Sequence, residues 1–173
     1  MDVRKDSRER PQGMYSMGVQ KGVLLSMQPL PPELGEAFPP ESEQRRKFER
    51  VVSGTDATYN FAKKYKLKTA FGTDVLFSHA LAKRQGALLA SLARWYTAAE
   101  ILKMATGVNA QLLALSGLRS PYEGKLGAIE EGALADILIV DGNPLENIEL
   151  IEDPATNFLV IMKDGKIYKN ELR

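Results

Sequence analysis

The sequence has no cysteine, which excludes disulfides, zinc–thiolate sites and thiol nucleophiles. Histidine is almost as scarce. His79 is the single one, so these residues alone supply neither a histidine-rich metal site nor a pair of histidines passing a proton. Neither sign of charge is in excess: 23 Lys and Arg against 22 Asp and Glu leave a net charge of +1. That balance gives no electrostatic reason to expect nucleic acid or an anionic membrane surface as partner. No run approaches the roughly 18 apolar residues of a membrane span. The densely charged stretch from Met1 to Arg10 has no sustained apolar core behind it, which argues against a secretory signal. Together these absences fit a reducing, cytoplasmic setting. What the sequence does have is apolar content. With 44% hydrophobic residues in 173, it can bury the core of one ordinary domain, or of one large and one small piece.

Texture divides the chain into residues 1–20, 21–118 and 119–173. The first stretch shows no usable period and is expected to be poorly ordered. Prolines crowd the early chain (Pro11, Pro29, Pro31, Pro32, Pro39, Pro40), fixing φ and removing donors. Between them Gly22–Gln28 is apolar and short enough for a buried parallel strand. Phe48, Val52, Tyr59 and Ala62 then recur at helical spacing, and Gly54 is expected to split this run, with Ser53 or Thr55 capping a second helix. Lys66–Thr73 reads as a strand closing at Asp74. Leu81, Leu88, Leu92 and Trp95 fall on one helical face. Thr97-Ala98-Ala99-Glu100 is a capping box, with Tyr96 and Ile101 at its staple positions. Gly107 suits a helix end, and Asn109 suits the cap of a further short helix through Leu115.

The last stretch is β in texture. Leu126–Glu130 is a strand candidate, and Ala135–Val140 is a run of aliphatic residues stopped by Asp141-Gly142-Asn143-Pro144. Phe158–Lys163 and Lys166–Lys169 flank Asp164-Gly165, the strongest short-range hairpin signal. The order is therefore strand, helices, strand, helices, then a small antiparallel sheet. A strand–helix–strand unit over 22–73 implies parallel neighbours with a right-handed crossover. Two parallel strands are too few for an independent sheet.

Three segments, with the chain's ending, resemble the metal-dependent amidohydrolase superfamily. They are Lys68-Thr69-Ala70-Phe71-Gly72-Thr73-Asp74, Ala105-Thr106-Gly107-Val108-Asn109-Ala110, and the run from Gly124 to Pro144; the ending is Val160 to Tyr168. The branch they resemble most is that of the imidazolonepropionase-like and aminoacyl-proline dipeptidase-like hydrolases. The resemblance implies an α/β fold, namely the last quarter of a (β/α)8 barrel plus a small C-terminal antiparallel β-sandwich portion. It makes Val23–Gln28 the seventh strand, Leu67–Thr73 the eighth, and 125–170 the sandwich part. It further implies hydrolysis of a non-peptide carbon–nitrogen bond, or of an aminoacyl-proline dipeptide, with a divalent metal such as zinc. Asp74 is the site position that carries over, as catalytic carboxylate and metal ligand. The family's histidines come from the first, fifth and sixth strands, and its carboxylated lysine from the fourth. The resemblance places none of those strands in this sequence, so a companion chain would have to supply them.

Plainer structural readings stand beside these. Asp74 could simply cap the turn after its strand. His79 fits the exposed first turn of a helix capped by Ser78. Asp141 and Asp164 belong to glycine turns, and Asp136 opens a strand. Gly124, Gly127 and Gly132 make no dinucleotide fingerprint, because no helix follows. Arg45-Arg46-Lys47 lies among Glu41, Glu43 and Glu49 and reads as a solvated helix face, while Trp95 and Tyr96 read as core. Two functions follow. In one, the chain is an amidohydrolase fragment, inactive alone and active with a companion. In the other it is a non-catalytic, self-associating module. Both face the same problem, since unpaired strand edges are templates for association.

Overall fold

The computed structural model describes residues 21–75 and 78–172. The expectation for residues 1–20 lies outside them. The described residues fall into two compact units, divided between Thr69 and Ala70. Among the described residues no helix is long and apolar enough to cross a membrane.

The first unit is dominated by one helix, α1 (Glu43–Lys64), following strand β1 (Leu24–Met27). Ser42 caps α1 by accepting from the Arg45 N–H at 3.1 Å. Glu43 in the first turn and Lys63 and Lys64 in the last suit the helix dipole. Thr55, Tyr59 and Ala62, spaced four and three apart, form its buried face. Arg45 pairs with Glu49 at 2.8 Å and Lys47 with Glu43 at 2.7 Å, so the basic run is indeed a solvated i,i+4 face. The expected break at Gly54 does not occur. The helix runs unbroken through Ser53 and Thr55, and the Thr55 hydroxyl donates back to the Val51 carbonyl, so neither starts a new helix; the Thr58 hydroxyl donates likewise to the Gly54 carbonyl. Glycine's penalty of about 1 kcal/mol is too small to interrupt a helix with a buried face.

The end of α1 delivers the next strand. Leu67 N–H donates to the Ala62 carbonyl and Lys66 N–H to that of Lys63, a Schellman closure with Lys66 left-handed at φ 53. Lys66 is therefore helix cap, not strand, and β2 is the shorter Lys68–Phe71. β1 and β2 are neighbours in a two-stranded sheet.

In the second unit the helical face expected for Leu81 to Trp95 is broken into pieces. α2 (His79–Ala82), α3 (Gln85–Ala90) and a 3-10 turn (Ser91–Arg94) replace one helix. Leu88, Leu92 and Tyr96 are buried, whereas Trp95 is half-exposed beneath the Arg94 guanidinium. The capping box forms as expected: Thr97 Oγ1 accepts from Glu100 N–H, and Glu100 accepts from Thr97 N–H at 2.8 Å, starting α4 (Ala98–Lys103). Its staple residues Tyr96 and Ile101 are both buried. Gly107 does not end the helix. The chain continues through a π-helical turn, Met104–Val108, directly into α5 (Asn109–Ala114).

Leu126–Glu130 is not a strand either. It is a loop braced by one parallel bridge, Lys125 to Ala133, because the Gly127 backbone packs against Thr106 rather than beside another strand. The sheet expected beyond it is present: β3 (Ile137–Val140), β4 (Phe158–Lys163) and β5 (Lys166–Asn170), in that order and antiparallel. A short helix, α6 (Pro154–Asn157), enters β4. Asp164 and Gly165 both take positive φ, 49° and 73°, the signature of a two-residue I′ hairpin. Asp136 accepts from the Asp164 N–H at 2.7 Å and pairs with Lys163 at 3.5 Å, so these aspartates hold the hairpin.

Candidate active site

Asp74 stands three residues beyond the end of β2. It is exposed, and its backbone is left-handed at φ 48. Aspartate tolerates that conformation better than most residues, but it is uncommon away from glycine. The Asp74 carboxylate therefore lies at the exposed end of a strand. His79 opens α2, exposed, with the Ser78 hydroxyl accepting from Leu81 N–H at 3.2 Å. That is the plain helix-turn role read from the sequence.

The strand end itself is gripped from a distance. Phe71 N–H donates to Asn109 Oδ1 at 2.9 Å, and Asn109 Nδ2 donates to the Phe71 carbonyl at 3.1 Å. Asn109 is thus not the cap of a new helix; its side chain closes the last residue of β2. The sequence signal was its place in Ala105-Thr106-Gly107-Val108-Asn109-Ala110, next to the strand motif in the resemblance but with no spacing that announces contact. A separate open cleft of about 540 Å³ in this unit is lined by Gly107, Gln111, Tyr122, Lys125 and others, and Asp74 is not among its walls.

Among the described residues no three of the His, Asp and Glu side chains gather into a metal-binding group. Zinc sites need three or four protein ligands. Asp74 alone does not meet that requirement, so the donors present do not fit a complete divalent-metal centre.

No family model and no curated protein matches the sequence. Solved structures do. An amidohydrolase crystal structure matches with a TM-score of 0.75 at 27% identity, covering 92% of this chain and 37% of that one. The chain has the fold of an amidohydrolase segment. The ochratoxinase of A. niger matches at a TM-score of 0.73 and 23% identity, over 90% of this chain and 34% of that chain. A prolidase complexed with N-methylphosphonate-L-proline gives 0.73 and 23%, over 90% of this chain and 37% of its own. The amidohydrolase-like segment therefore spans little more than a third of the length of the structures it matches.

Proposed function

We propose that this segment is the part of an amidohydrolase that contributes strands seven and eight of the (β/α)8 barrel, Asp74 at the mouth of the eighth, and part of the small sandwich. In this reading β1 and β2 are those strands, and 125–170 belong to the sandwich. The observation that carries it is the match of nearly the whole chain to about a third of an amidohydrolase. The reaction is hydrolysis of a carbon–nitrogen bond, with an aminoacyl-proline dipeptide as the favoured substrate class given the prolidase among the matched structures. Asp74 supplies a carboxylate that takes a proton from the attacking water. In this reading the remaining strands and metal ligands lie outside these residues, and these residues alone do not turn over substrate.

The test mixes this chain with a polypeptide carrying the remaining barrel strands and assays aminoacyl-proline hydrolysis with zinc. Activity is expected in the mixture, in neither component alone, and not with Asp74→Asn. Turnover by this chain alone, or a mixture indifferent to Asp74→Asn, contradicts the reading. A second reading, a self-associating non-catalytic module, draws on one observation: Leu138, Ile167 and Tyr168 of the β3–β4–β5 sheet are exposed. Gel filtration separates them. A stable homo-oligomer that excludes the companion favours the module.

A further inference from the structure

We propose that Asn109 is a positioning residue for Asp74: its side-chain amide grips the N–H and C=O of Phe71, the last residue of β2, and so fixes the backbone that presents the Asp74 carboxylate. The proposal rests on the reading of Asp74 given above. One planar amide satisfies both the N–H and the C=O of Phe71, across 38 residues of sequence. A neighbouring strand makes the same double exchange in an antiparallel ladder. Asn109 thus stands in for a strand at the point where β2 runs out.

Only Gly72 and Thr73 lie between that grip and Asp74. Asp74 is held at φ 48, a conformation most non-glycine residues avoid. Such a backbone persists where its surroundings over-determine it. The fixed point on one side of it is the Asn109 amide.

Asn109 is in turn aimed by its own segment. The π-helical turn Met104–Val108 places it, and π turns of this kind recur at functional sites. The Thr106 hydroxyl donates to the Leu102 carbonyl at 2.7 Å. From the other side the Gly127 backbone presses on the same turn: a Cβ at Gly127 would lie 2.6 Å from the Thr106 carbonyl oxygen, and Gly127 itself is at φ +71. The run Gly127, Thr106, Asn109, Phe71 therefore braces the strand end from behind.

The experiment is nuclear magnetic resonance on the isotope-labelled full chain. A positive φ imposes a short distance between the Asp74 amide and α protons, read as a strong intraresidue Overhauser effect. Asn109→Ala is expected to abolish that signal and to speed exchange of the Phe71 amide about tenfold. Ile101→Val, which loosens a fully buried site of the same helical segment without touching the amide, leaves the Asp74 signal in place. A folded Asn109→Ala chain that keeps the signal overturns the proposal. If Asn109→Ala does not fold, the unaltered chain decides: the Asn109 side-chain NH2 must exchange more slowly than that of exposed Asn60, and equal rates overturn it. The readout is backbone geometry, not turnover. A chain with no part in hydrolysis would still pass this test while failing the mixing assay.

Discussion

Two glycines in helical sequence behave in opposite ways. Gly54 sits in the middle of α1 and interrupts nothing, with open space where its Cβ would be. Gly86 lies in the second unit, where the helical run from His79 is cut into short pieces. A Cβ there would collide with the Ile151 carbonyl and crowd the Glu152 backbone. The lesson is that a glycine's meaning is set by what approaches it. Gly54 is a tolerated weakness in a helix held by its buried face. Gly86 is a contact surface, admitting the backbone of the 148–151 turn against α3.

Substitution separates the two. Gly86→Ala is expected to have the largest effect, a loss of about 3 kcal/mol in denaturant unfolding, because the obstacle is main chain that has no rotamer to yield. A neutral result would dissolve the contrast. Gly54→Ala should move stability the other way, raising it by about 0.5–1 kcal/mol, since alanine is the better helix former and meets nothing. The smallest effect concerns the turn that Gly86 abuts. Asp153 caps α6, and the Thr156 hydroxyl, then the Thr156 and Ala155 backbone N–H groups, hold its carboxyl below its ordinary 3.8, with Lys169 adding a little. A depressed folded pKa means that this stabilisation is present above the unfolded value and is lost as pH falls through the folded one. Asp153→Asn should therefore lower stability slightly at neutral pH and flatten the acid limb of a pH–stability curve, so that variant and unaltered chain converge below the folded pKa.

Features set by neighbours in sequence were legible. The capping box at Thr97 and Glu100, the Asp164-Gly165 hairpin and the Ser78 turn each depend on residues within a few positions of one another. The family likeness was legible too, through short segments that the fold match supports. What could not be read was contact between distant backbone. Gly127 looked like part of a strand because nothing local says that it packs on Thr106. Asn109 looked like a helix cap because the Phe71 peptide it binds is 38 residues away. Gly54 and Gly86 carry the same local signal and differ only in surroundings. For the candidate site, then, the sequence singles out Asp74 as the proposed carboxylate but gives no sign of the group that grips the strand before it.

The proposed site takes one carboxylate, Asp74, from these residues and its other metal ligands from outside them. The direct measurement is zinc bound per chain, by elemental analysis of the isolated protein after dialysis against excess zinc. No stoichiometric zinc is expected, with Asp74→Asn indistinguishable from the unaltered chain. One tightly held zinc per chain, released on Asp74→Asn, would contradict the proposal.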